Sequence, residues 1–154
     1  MKPPFQRLLD DHAAVVLRFC VASVGPVDAD DCFQETVVAA LRAYPKLRHA
    51  DNLRGWLLTI AHNKALDMHR ARARRAVPVA TVDDAPLHDA DGRDEELWAA
   101  VHALPPKQRG AVLLRFVGDL THREIASALD SSEEAARRAL SDGLAKLRTN
   151  WIPA

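Results

Sequence analysis

Leu120-Thr121-His122-Arg123-Glu124-Ile125-Ala126-Ser127-Ala128-Leu129-Asp130-Ser131-Ser132-Glu133-Glu134-Ala135-Ala136-Arg137-Arg138 is the stretch on which the fold turns. Thr121 and Glu124 are spaced as a capping box, the hydroxyl accepting from a free backbone N–H and the carboxylate reaching back to another. Ile125, Ala126 and Leu129 give the short helix that follows one apolar side. A tight turn at Asp130 comes next, and Ser131 with Glu134 reads as a second capping box for a helix reaching about Arg148. Two capped helices, the first short, form the outline of a helix-turn-helix. Many such pairs are purely structural, whereas others lay the second helix in the major groove of DNA. Residues 121–148 alone leave both readings open.

Upstream, Leu97, Ala100, Val101 and Leu104 recur at helical spacing after Asp94-Glu95-Glu96, and Pro105-Pro106 breaks that helix. The prolines begin another through Val112, Leu113, Phe116 and Val117, which Gly118-Asp119-Leu120 closes. Residues 76–93 have no period and contain Pro78, Pro86 and Gly92 among a run of aspartates, the composition of a solvated, flexible tether. Before it, three helices are predicted. Phe5, Leu8, Leu9, Val15, Val16, Phe19 and Cys20 mark the first, ended by Gly25-Pro26. Asp28, placed to cap free N–H groups, opens a second through Cys32, Phe33, Thr36, Val37, Ala40, Leu41 and Tyr44. Pro45 ends it, a polar loop over 45–52 follows, and Leu53, Trp56, Leu57, Ile60, Ala61 and Met68 line a third helix to about Arg75. No strand pattern or internal repeat is present. The predicted fold is all-α: two small helical domains, 1–75 and 94–150, joined by an acidic flexible linker over 76–93.

The net charge of zero argues at first against nucleic acid, but its distribution does not. Residues 1–75 carry 12 basic and 8 acidic side chains, residues 76–96 carry 1 and 7, and residues 97–154 carry 8 and 6. Two mildly basic blocks flank an acidic strap. No apolar run approaches the ~20 residues of a membrane span. No signal-peptide core follows Met1-Lys2-Pro3-Pro4, because His12, Arg18 and two aspartates interrupt the first helix, so the cytoplasm is the expected compartment. Cys20 and Cys32 sit on apolar helix faces without zinc-like spacing and read as buried thiols.

Chemistry is carried by few residues. The third helix bears Asn63, Lys64, Arg70, Arg72, Arg74 and Arg75. Lysine and arginine neutralise phosphates, and an asparagine amide can both donate to and accept from a base edge. A solvated charged helix end explains the same residues and stays open on this ground alone. The seven histidines are scattered; His62, His69 and His122 have no partners at metal-site spacing, and no glycine-rich phosphate loop exists. An enzyme is therefore the least expected class, and no cofactor or metal is implied.

Asp28-Ala29-Asp30-Asp31-Cys32-Phe33-Gln34-Glu35-Thr36 and Asn52-Leu53-Arg54-Gly55-Trp56-Leu57-Leu58-Thr59-Ile60-Ala61-His62-Asn63 closely resemble region two of extracytoplasmic-function (ECF) sigma factors, within the sigma-70 family. Leu104-Pro105-Pro106-Lys107-Gln108-Arg109 and Leu120-Thr121-His122-Arg123-Glu124-Ile125-Ala126 resemble their region four. Order, spacing and acidic linker agree too, so the resemblance covers residues 5 to about 148. It implies an initiation factor that directs core RNA polymerase to promoter DNA. Region two would dock on the clamp helices of the largest polymerase subunit through Asp31, Gln34 and Glu35, which otherwise read as a solvated helix start. The loop with Lys46, Arg48, His49 and Asn52 would hold a flipped-out base of the minus-ten element, at a cost of a few kcal/mol in lost stacking. Asn63, Lys64, Arg70, Arg72 and Arg74 would follow the melted strand, and Trp56 reads as core rather than wedge. The linker would thread toward the RNA exit path. Region four would meet the polymerase flap and set Ser132, Arg137, Arg138 and Ser141 in the major groove of the minus-thirty-five element. An anti-sigma factor is the implied regulatory partner, and no membrane partner is implied.

The recognition helix departs from the family pattern. Ala139 and Leu144 stand where arginines are usual, Asp142 puts a carboxylate toward phosphate, and Gly143 costs ~1 kcal/mol within a helix. Asp142, four residues beyond Arg138, is placed to neutralise that arginine in the absence of DNA. The chain stops soon afterwards at Trp151-Ile152-Pro153-Ala154, so no regulatory extension is expected there. These departures motivate an alternative: a sigma-like protein that binds polymerase or an anti-sigma factor without directing initiation. A one-component repressor would use residues 121–148 but leave the first block without a role.

Overall fold

The computed structural model describes residues 2–49, 51–75 and 92–151. The expected linker, residues 76–93, lies almost entirely outside the described residues. Seven α-helices and one 3-10 turn make up the described elements, and no strand occurs among them. Helix α1 spans Phe5–Val24 and α2 Ala29–Ala43; Tyr44–Lys46 form the 3-10 turn, and α3 spans Leu53–Arg75. Helices α4 (Gly92–His102), α5 (Pro106–Phe116), α6 (His122–Ala128) and α7 (Glu133–Trp151) follow.

The first three helices pack mutually along the apolar stripes that their sequence periods predict, except that Leu41 of α2, expected on its stripe, is left exposed. Leu8, Val16, Phe19, Leu57 and Leu58 are fully enclosed. Gly25 ends α1 at φ +88°, a conformation that an L side chain rarely adopts. Phe5 meets the Tyr44 ring edge-on at 5.4 Å, and Tyr44 lies 5.9 Å from Trp56, so Trp56 belongs to an aromatic wall and is half-buried. Lys2 Nζ donates to the Tyr44 carbonyl at 2.6 Å and lies over the same ring, which anchors the chain before α1. Cys20 and Cys32 are fully buried free thiols; their mutual hydrogen bond and their burial hold the Cys20 thiol far above its ordinary range.

Helices α4 to α7 enclose a second set, Leu114, Leu120, Ile125, Ala136 and Leu140. The Thr121–Glu124 capping box is present as expected: Thr121 N donates to Glu124 Oε1 at 2.8 Å and Glu124 N donates to Thr121 Oγ1 at 3.2 Å. Asp130, at φ +53°, makes the tight turn. The second cap differs from expectation. Ser132, not Ser131, accepts from Ala135 N at 3.0 Å, so the helix starts one residue later and Glu134 completes no box. Asp28 likewise makes no side-chain cap to α2; its carboxylate pairs with Arg72 of α3. A guanidinium within reach outcompetes neutral N–H groups for an aspartate.

The two helical groups also touch. Helix α3 packs on α6 and α5, and α1 packs on α5. Two glycines make this approach possible: a Cβ on Gly110 would lie 2.6 Å from His62 Cε1, and one on Gly118 would lie 2.9 Å from Leu58 Cδ1. No helix among the described residues is long and apolar enough to cross a membrane.

Candidate nucleic-acid interface

Three surfaces carry the residues singled out from the sequence. The first is the outer face of α2. Asp31, Gln34 and Glu35 project from it and are exposed, with Val38 and Leu41 one and two turns on, 46% and 54% exposed. Exposed aliphatic side chains among carboxylates make a face suited to another protein. Between α2 and α3 runs a groove of about 500 Å³ bordered by Asp31, Gln34, Glu35, Asp67, Arg72 and Arg75.

The second surface is α3 with the loop before it. Its basic residues do not form one stripe. Asn63, Arg70 and Arg74 recur at helical spacing on one exposed face. Arg72 and Arg75 instead line the groove against α2, and Lys64, half-buried, borders an adjoining groove with Gln34, Glu35 and Arg42. Arg72 is further engaged by Asp28. The sequence set therefore divides between an outward track and a face shared with the acidic residues of α2. In the loop, Lys46, Arg48 and His49 are exposed. Asn52 is already in use: its Oδ1 accepts from Gly55 N at 3.0 Å, capping α3, while its Nδ2 donates to Glu124 of α6.

The third surface is α7. Ala136, Leu140, Gly143 and Leu147 face inward, while Arg137, Arg138 and Ser141 point outward together. Ser132 sits at the helix start with its hydroxyl committed to the cap. Arg137 donates to Glu133 at 2.8 Å, and that hydrogen bond holds the Glu133 carboxyl below its ordinary range. The expected Arg138–Asp142 pair does not form among the described residues; both side chains are exposed. Glu133 reaches Arg137 because a carboxylate N-terminal to its arginine by four residues is the better-oriented pair.

Sequence reasoning missed the contact between these surfaces. Arg54 of α3 donates to the Asp119 carbonyl at 3.1 Å, and Asp119 is turned to φ +57°. His102 of α4 donates through Nε2 to the Ala22 carbonyl, and His69 of α3 to the Ser23 carbonyl, each at 2.8 Å. Arg109 donates to the His102 carbonyl at 3.0 Å and also to the Leu104 carbonyl. Between them His62, only 5% exposed, rests on Gly110. Its pKa is pulled down to about 4, by burial first and then by Arg109, Arg70 and His69. The one available signal was a polar ring on the apolar side of α3 and a glycine inside α5.

Residues 5–75 match the family model for sigma-70 region 2, and residues 94–147 match that for sigma-70 region 4. The chain is 32% identical to the ECF RNA polymerase sigma factor SigD of Mycobacterium tuberculosis, over 97% of this chain and 77% of that protein. It is 30% identical to the RNA polymerase sigma-E factor of Streptomyces coelicolor, over 82% of this chain and 73% of the relative. Among solved structures, the fold is similar to that of the sigma factor RpoE bound to the anti-sigma factor NepR from Bartonella quintana. There the TM-score is 0.81 at 20% identity, with 94% of both chains covered. It is also similar to CnrH in complex with the cytosolic domain of CnrY, at a TM-score of 0.73 and 24% identity, covering 94% of this chain and 85% of that one.

Proposed function

The chain belongs to the ECF sigma factors of the sigma-70 family, and from that premise we propose how its surfaces divide the work of promoter recognition. It is an initiation factor that directs core RNA polymerase to specific promoters and promotes DNA melting there. The observation that carries this function is that both family regions occur in order within one chain that also aligns with curated ECF factors over nearly its whole length.

The finer assignments are ours. Residues 1–75 act as region two and 94–150 as region four, joined by the acidic segment 76–93. Asp31, Gln34 and Glu35 meet the clamp helices of the largest polymerase subunit, a role supported by their exposure beside Val38 and Leu41. Lys46, Arg48 and His49 hold an extruded minus-ten base, whose lost stacking, a few kcal/mol, the loop contacts offset. Asn52 joins them only when Glu124 releases it. Asn63, Arg70 and Arg74 track the melted strand; Lys64 reaches it from the groove side, and Arg72 contributes once freed from Asp28. Arg137, Arg138 and Ser141 read the minus-thirty-five element, with Ser132 fixing the start of the recognition helix. The flap is region four's polymerase contact, and an anti-sigma factor is the regulatory partner, as in the complexes of RpoE and CnrH. The protein works in the cytoplasm, where polymerase is, and performs no chemistry itself.

Run-off transcription with core polymerase on a promoter library tests this reading. The expected result is start-site-specific transcripts that require the protein. Polymerase binding without any transcript would replace it with the alternative of a sigma-like protein that does not direct initiation.

A further inference from the structure

The seam between regions two and four gathers histidines and arginines against backbone carbonyls and a glycine. From α1 it receives the carbonyls of Ala22 and Ser23; from α3, His62, His69 and Arg70. From α4 comes His102 and from α5 come Arg109 and Gly110, while Leu129, just beyond α6, closes over Gly110. The charged groups acting on His62, namely Arg109, Arg70 and His69, are cationic or become so in acid. Among the described residues no carboxylate acts on the His62 ring, so a proton added there meets cations. Meanwhile the same closure ties Asn52 to Glu124 and Arg54 to the Asp119 carbonyl, beside the loop assigned to the minus-ten base.

We propose that this seam is a proton-sensitive latch: neutral His62, seated on Gly110, holds region four closed beside the loop over 45–52, and protonation of His62 favours opening. The consequence for promoter reading rests on the function proposed above; the proton-linked opening does not.

The sign follows from linkage. An imidazole freed into water titrates near 6.5, whereas the seated one titrates at about 4. Between those values the open form binds a proton that the closed form lacks, so closure is strongest above 6.5 and weakens as pH falls toward 4. At pH 5.5 His62 alone shifts the equilibrium toward the open form about tenfold relative to neutral pH. His69 acts in the same direction, since burial and Arg109 hold it below its ordinary value, partly offset by its bond to the Ser23 carbonyl.

Energy transfer between dyes on Ala43→Cys and Ala145→Cys in the full chain reads the distance directly; both positions are exposed, and the native thiols are buried. Transfer is expected to fall between pH 7 and 5 with helicity unchanged, and His62→Leu to remove most of that response. Should His62→Leu lose helicity, His62→Gln, also neutral throughout, takes its place. Gly110→Ala, whose methyl would lie 2.6 Å from the His62 ring, should open the chain already at pH 7.5. Constant transfer across this range in the parent, or an equal response in the His62 variant, overturns the latch. Because the readout is distance alone, neither outcome depends on whether the chain supports transcription.

Discussion

Gly143 sits in the recognition helix, where its helix propensity alone would make it a defect, and replacing it with alanine tests whether it is one. An exposed helical glycine changed to alanine gains ~1 kcal/mol. Gly143, however, is buried against α5: an added Cβ would lie 3.0 Å from Val112 Cγ2 and 3.4 Å from both the Cβ and the carbonyl oxygen of Gln108. Carbon atoms settle at roughly 3.5–4.0 Å, so the methyl is about half an ångström too close. Neither neighbour yields easily, since Val112 is a buried β-branched residue and the Gln108 oxygen is backbone. Overpacking of this kind costs ~1–3 kcal/mol, which outweighs the propensity gain. Gly143→Ala should therefore destabilise the chain by about 1 kcal/mol, lowering its melting temperature by roughly 2–4 °C. In a Val112→Ala background the obstructing methyl is gone, and the same change should stabilise by up to ~1 kcal/mol, a coupling of about 2 kcal/mol. Urea unfolding of the four chains, followed by helicity, measures this cycle. Stabilisation by Gly143→Ala in the native background would refute the close-packing account.

Three further outcomes follow from the surfaces. Asn63→Ala and Lys64→Ala should change unfolding free energy by less than ~0.5 kcal/mol, since Asn63 is exposed and Lys64 is only half-buried, while reducing open-complex formation with core polymerase; unchanged run-off from both would remove them from the melted-strand track. Arg137→Ala and Arg138→Ala should each cost ~1–3 kcal/mol in discrimination between intact and scrambled minus-thirty-five elements, read by holoenzyme binding. Asp142→Arg should strengthen binding to both promoters alike, because an exposed arginine there meets phosphate; a gain confined to the intact element would make it a base contact instead.

The all-helical architecture was legible because it rests on local signals. Apolar periodicity, Gly25, Pro45, Pro105-Pro106 and the Thr121–Glu124 box each act within a turn or two of their own position. What the sequence concealed depends on competition between distant partners. Asp28 could cap its own helix or meet a guanidinium 44 residues away, and only the packing of α3 along α2 decides for Arg72. The division of α3 into Asn63, Arg70 and Arg74 on one side and Lys64, Arg72 and Arg75 on the other follows from helix geometry, but which side faces α2 does not. His62 read as an unpartnered histidine because its partner is an empty space, the missing side chain of Gly110.

Closure also orders the proposed events. The main packing neighbours of α2 are α1, α3 and the 3-10 turn, so its acidic and aliphatic outer face is available while region four is closed. The outward side chains of α7 are exposed as well, Arg137 with its bond to Glu133. Among the described residues, region four engages the entrance to the loop, through Asn52 with Glu124 and Arg54 with Asp119. Those contacts lie partly in water, where each contributes on the order of 1 kcal/mol, so a polymerase surface that pulls regions two and four apart can break them. On the proposed roles, docking on polymerase through α2 would free Asn52 and Arg54 at the entrance to a loop whose Lys46, Arg48 and His49 are already exposed. Withholding Asn52 until polymerase is bound would also weaken the free protein's grip on melted DNA, in line with its zero net charge.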